Sequence, residues 1–185
     1  MALRRGDLKA AEPRIAELQP MALESGEAQR IIPMACVVLP WLLVTGRSEE
    51  LRSLAEQVLT TLDGQWPATF TAVPVVRALA AAGEAELLQR TIDSMRRTPI
   101  EVQTAKLQIA LTAGEGLLAL LQQRADDAVE QLTAVVDRER ELGFVYDAAC
   151  LELDLARALE AQGRAEAASE ARARAASVLE PLGVV

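Results

Sequence analysis

The hydrophobic positions of this chain recur at helical spacing, and short polar turns interrupt them at a steady interval. Between Ala125 and Leu142 the apolar residues Ala128, Val129, Leu132, Val135, Val136 and Leu142 form one stripe, with Asp126, Asp127, Glu130, Asp137, Arg138 and Glu141 largely off it. That is the 3.6-residue period of an amphipathic helix, not the alternation of a strand. In the last helical run, Arg164 to Leu182, the positions Ala167, Ala168, Ala171, Ala175, Val178, Leu179 and Leu182 repeat the spacing. Pro181 and Gly183 close that run. Thr98-Pro99-Ile100-Glu101 reads as a capping box with Pro at the first helical position, and predicts a long helix from Ile100 to about Gln122. The middle of that helix is apolar on most sides and so belongs between neighbours. Gly114 and Gly116 either weaken it or let another helix come close.

The turns repeat too. Gly6, Gly46, Gly83 and Gly163 sit in similar surroundings, and the step of 80 between the last two is bisected at Gln123, in a segment that has the surroundings without the glycine. One unit therefore occurs five times at a period near 40: an apolar helix, a tight turn, one or two acids, an amphipathic helix. A turn glycine can take positive φ and end the first helix, and acids in the first turn of the second favour its dipole. The pattern predicts an all-α chain, an α-solenoid of about four to five antiparallel helix pairs forming a single domain over residues 1–185. Pro13, Pro20, Pro33, Pro40 and Pro74 fall inside segments that otherwise read as helical and predict bends or breaks, whereas Pro67 fits a first helical position.

These units resemble tetratricopeptide (TPR) repeats of the longer, irregular kind. The match is best at the end, where Gly163 takes the turn position and Ala156, Ala168 and Ala175 the small positions. Aliphatic residues stand at most of the family's large aromatic positions, and the period exceeds the usual 34. Residues 125–185 in particular are similar to the C-terminal helical repeats of large bacterial signalling ATPases, both LuxR-type regulators and cyclase-associated proteins. That resemblance implies a piece of a longer protein whose ATP-binding and output parts lie elsewhere; "MALRRGD" reads as the tail of a helix begun earlier. It implies a protein-protein interaction or scaffold module of a signalling or transcriptional regulator, or alternatively a small-molecule sensor region.

Composition narrows the chemistry. The chain of 185 residues is 51% hydrophobic and only 3% aromatic, so Ala and Leu fill the core, as closely packed helices allow. Its net charge of −8 opposes direct nucleic-acid binding, because phosphate neutralisation supplies most of that affinity. There is no His, which removes the commonest general base and metal ligand. No catalytic, cofactor or metal site is expected, and no enzyme activity. Cys36 and Cys150 read as reduced core thiols of a cytoplasmic protein. "IIPMACVVLPWLLV", 31–44, spans roughly 21 Å as a helix, too short for a membrane core of about 30 Å, and reads as a buried helix.

The remaining motifs have ordinary readings. Arg138 to Glu141, "RERE", is a solvated helix face. Arg5-Gly6-Asp7 falls on a turn. Glu49-Glu50 and Asp126-Asp127 answer a helix dipole. Met95-Arg96-Arg97 is a compact basic site that complements a helix C-terminus or contacts a phosphate or acidic peptide. Trp41 and Trp66 read as packing residues, and Phe144 and Tyr146 as a hydrophobic contact across Gly143. The partner expected is a protein, a peptide or another domain of the same polypeptide, or a second copy, with Gln103, Lys106, Asp147 and Asp154 as candidate groove contacts.

Overall fold

A computed structural model describes residues 8–66 and 72–183, without the side chains of Leu8 and Lys9. Gly6, the Arg5-Gly6-Asp7 triplet and Pro67 lie outside the described residues. Among the described residues all regular structure is helical: α1 (Leu8–Ser25), α2 (Ala28–Val44), α3 (Ser48–Leu62), α4 (Val73–Ala81), α5 (Ala85–Arg96), α6 (Ala105–Leu121), α7 (Ala125–Glu141), α8 (Val145–Ala161) and α9 (Ala165–Leu179). The chain divides within α6 into two compact units, Met1–Leu111 and Thr112–Val185.

In the first unit α2 is the central element, packing on α1, α3 and α4, while α5 packs on α3 and α4. The reason is in its side chains: Ile31, Ile32, Met34, Ala35, Val38, Leu39, Trp41 and Leu42 are all buried. Pro33 and Pro40 lie inside this helix, yet it runs uninterrupted, as does α1 through Pro13 and Pro20. Each internal proline forfeits a backbone bond at about 3 kcal/mol. Burying seven large apolar side chains at about 1.5–3 kcal/mol each outweighs two such losses in α2. Pro74 is not internal at all; it sits in the first turn of α4, where its missing N–H costs nothing.

In the second unit α8 lies between α7 and α9 and packs on both. Ala168, Ala171, Ala175 and Leu179 of α9 are buried, and Ala149, Cys150, Ala175 and Leu179 form one cluster with Tyr146 and Val178 against it. The helix then tightens into a 3-10 turn, Glu180–Leu182, ended by left-handed Gly183, and Leu182 is exposed rather than in the stripe. Gly116 of α6 is a close approach: a Cβ there would stand 3.0 Å from Leu132 Cγ and 3.1 Å from Gln131 Cβ of α7.

One turn geometry joins the hairpins. The N–H groups of Arg47, Glu84, Arg124, Phe144 and Arg164 each bond back five residues, to the carbonyls of Leu42, Leu79, Ala119, Glu139 and Leu159, at 2.9–3.0 Å. That bond requires a left-handed residue just before the donor. Glycine supplies it four times. At the fifth turn Gln123 does so, with φ 60°, alone among the described non-glycine residues in having positive φ. The pattern that placed a turn at Gln123 without a glycine therefore corresponds to a real left-handed turn.

The capping box expected at Thr98 does not form. Ile100–Val102 is a separate 3-10 turn, and α6 begins at Ala105. Thr104 is the residue that caps it: its hydroxyl accepts from Leu107 N–H at 3.4 Å and its carbonyl from Gln108 N–H at 3.0 Å. The Thr98 hydroxyl is buried and makes no hydrogen bond. Gln103 explains the shift, because its side-chain amide donates to the Thr98 carbonyl at 2.8 Å and holds the connection as a turn.

No helix among the described residues is long and apolar enough to cross a membrane.

Candidate functional site

The four candidate groove residues divide between the units. Gln103 and Lys106 belong to the first. The Gln103 side chain is spent on local structure, donating to Thr98 and accepting from Gln108 Nε2 at 2.5 Å. Lys106 is half-buried in the first turn of α6. Asp147 and Asp154 lie on α8, two turns apart and so on one side of it. Asp147 is half-buried; Asp154 is buried and stands 3.8 Å from Arg157. The exposed face of α8 is formed instead by Val145, Leu153, Arg157 and Glu160.

Sequence reasoning missed a more central arrangement. Glu152, only 2% exposed, projects from α8 and takes Arg140 Nη2 of α7 at 2.6 Å and Arg174 Nε of α9 at 2.7 Å on the same carboxylate oxygen. A buried carboxylate is tolerated only when paired and hydrogen-bonded. Here one acid ties two helices that both pack on its own. Glu139 is also 2% exposed, so the "RERE" run is not a wholly solvated face. The signal was a largely apolar stretch, Ala148 to Leu159, that carries Glu152 and Asp154 within it, acids that hydropathy alone assigns outward.

Similar polar ties join second helices in both units. In the first, Arg52 of α3 meets Glu84 at the start of α5 at 2.8 Å, and Asp63 after α3 meets Arg97 after α5 at 2.5 Å. In the second, Gln162 before α9 donates to Asp126 of α7 at 2.8 Å. The Met95-Arg96-Arg97 site is divided accordingly: Met95 is fully buried, Arg96 pairs with Asp93, and Arg97 with Asp63. Trp66 is buried with its indole N–H on Ser94 Oγ at 3.0 Å, and Trp41 is buried with the Arg47 guanidinium 4.7 Å from its ring centroid. Cys150 is buried, whereas Cys36 is only half-buried; both are free thiols.

A concavity of about 740 Å³ lies in the second unit between the turns that precede α7 and α9. Gln123, Arg124, Asp126, Asp127, Gln162 and Arg164 line it. Arg124 pairs with Asp127 and also meets Gln122 Oε1 at 2.9 Å, so its charges are matched internally. Such a rim can meet a polar surface but holds no reactive pair. Among the described residues no cluster of acidic or thiol side chains is arranged to hold a metal ion.

Charge is unevenly distributed. Residues 112–185 carry seven basic and fourteen acidic side chains, against twelve and thirteen in residues 1–111. Nearly all of the net negative charge therefore belongs to the second unit. Among exposed acids, Glu50 and Glu160 have pKa values held below the ordinary carboxylate range, chiefly by hydrogen bonds from Arg47 and Arg172 respectively.

No family model, curated protein or solved structure matches this chain.

Proposed function

We propose that this chain is a non-catalytic interaction module, a TPR-like α-solenoid whose extended helical surface receives a protein partner. The observation that carries this reading is the recurrence of one hairpin design. The same left-handed turn joins first to second helices, and polar ties link successive second helices in each unit, with Asp63 and Arg97 separated by 34 residues and Asp126 and Gln162 by 36. Repeated hairpins present long ridged faces on which binding rests on shape, anchor residues and charge. The acidity of residues 112–185 favours a basic partner segment. The resemblance to repeats of bacterial signalling ATPases supports reading such a module as part of a transcriptional or cyclase-type regulator, beside ATP-binding and output domains.

Carboxylate-directed crosslinking of the native protein in its own cell extract, read by mass spectrometry, tests the proposal. Crosslinks from Glu160 and Asp147 to lysines of one protein or one attached domain are expected. They are expected to disappear in an Asp147→Lys, Glu160→Lys variant that keeps its helical circular dichroism. Crosslinks scattered over both units and unchanged by the charge reversal would refute it.

A further inference from the structure

A second concavity, about 350 Å³, opens between the C-terminal ends of α3 and α5 in the first unit. Its walls include Leu59 and Asp63 from α3 and the residue after it, and Arg90, Asp93, Ser94 and Arg97 from α5 and the residue after it. Its size is within the range that holds small molecules.

Two groups in this cavity have unspent hydrogen-bonding capacity. Ser94 is 2% exposed, and its oxygen accepts from Gly64 N–H at 3.1 Å and from the Trp66 indole N–H at 3.0 Å. Those two bonds occupy both lone pairs of a hydroxyl. The Ser94 O–H, which can only donate, has no acceptor among the described residues, and a buried donor without an acceptor is destabilising. Arg90, at the exposed rim of the cavity, brings a guanidinium with five donors and makes no ion pair among the described residues. The buried Ser94 O–H calls for an oxygen acceptor, and the Arg90 guanidinium at the rim favours an anionic one, a carboxylate suiting it by its planar geometry.

The same walls oppose a simple anion. Asp63 accepts Arg97 on Oδ1 at 2.5 Å, and Asp93 accepts Gln89 at 3.0 Å and Arg96 at 3.3 Å on its own Oδ1. Each aspartate keeps its second oxygen free to accept from a cation. Two arginines and two aspartates make the lining neutral overall. A dianion such as phosphate would meet two carboxylates, and an amine alone would meet two guanidiniums. A molecule bearing both signs a few bonds apart satisfies both sets, and Leu59 offers an apolar wall for a side chain.

We propose that this cavity binds a small zwitterion of the α-amino-acid class, its carboxylate on Arg90 and the Ser94 hydroxyl and its ammonium on the free oxygens of Asp63 and Asp93. The site lies on one unit alone and is independent of the partner-binding reading. Because Gly64 N–H and the Trp66 indole N–H both end on Ser94 Oγ, their resonances report occupancy directly.

The test is a nitrogen-15 NMR titration of the full chain with each proteinogenic amino acid, with its N-acetyl and amide derivatives, and with inorganic phosphate. At least one free amino acid is expected to shift both resonances saturably below about 10 mM. Removing its ammonium or its carboxylate, or substituting Arg90→Gln, is expected to weaken binding by about tenfold or more. Arg30→Gln, remote in sequence from the lining, is expected to leave it unchanged. The proposal is overturned if no amino acid saturates these signals. It is equally overturned if phosphate or the N-acetyl form binds as well, if Arg90→Gln binds as tightly as the native chain, or if Arg30→Gln weakens binding as much.

Discussion

At Gln123 the backbone holds a left-handed conformation that costs an ordinary L-residue about 1–2 kcal/mol, and four sister turns avoid that cost with glycine. Gln123→Gly removes the strain but adds unfolded-state entropy, so a net gain of about 0.5–1 kcal/mol is expected, read as a higher urea midpoint. The opposite applies at Gly116. Alanine there gains about 1 kcal/mol of helix propensity, but its Cβ would press on fully buried Leu132. Overpacking costs about 1–3 kcal/mol, so Gly116→Ala is expected to lower the urea midpoint and Gly116→Val to lower it further. Glu160 offers a pH test. Its pKa is depressed by the hydrogen bond from Arg172, so the contact contributes above the ordinary carboxylate value. That contribution is lost as pH falls through the lower folded value. In a carbon-detected NMR titration, Arg172→Gln is expected to raise the Glu160 midpoint towards the ordinary range.

Among elements, α8 has the most to hold together. Its contacts with α9 include the small residues Ala149 and Ala175, which fit closely but give little side-chain relief to fix one register over another. The Arg140–Glu152–Arg174 tie supplies direction where alanine does not. Removing the charge by Glu152→Gln is expected to cost about 1–3 kcal/mol in urea unfolding. That is below the loss for a fully buried pair, since both arginines are partly exposed and can be hydrated. A double-mutant cycle with Arg174→Gln isolates the pairwise share. This scale also shows what the residues alone could and could not reveal. The hairpin turns were legible because a left-handed closure leaves a glycine, or a gap in a glycine series, at fixed spacing. Burial of α2 was legible because its apolar run outweighs two prolines. The buried acid Glu152 was not, because its partners Arg140 and Arg174 come from distant positions on other helices. The true cap at Thr104 was hidden by a better-looking box at Thr98, which Gln103 diverts into a turn.

For the molecule as a whole, the uneven charge matters more than its total. Residues 112–185 bear twice as many acids as bases, so their field attracts cationic molecules more than that of residues 1–111 does. A lysine-rich amphipathic peptide is expected to bind the full chain, and its affinity to fall steadily as salt is raised, in calorimetric titrations; a glutamate-rich peptide of the same pattern is expected not to bind. Placement of the aromatic residues has its own consequence. Both tryptophans, the one beneath Arg47 and the one resting on Ser94, belong to residues 1–111, while residues 112–185 hold the single tyrosine, Tyr146. Indole emission therefore observes the first half of the polypeptide and is silent about the second. A fluorescence melt of the native chain would report the packing around α2 and between α3 and α5, and an optical beacon for the acidic unit has to be engineered in, with Tyr146→Trp as the natural place.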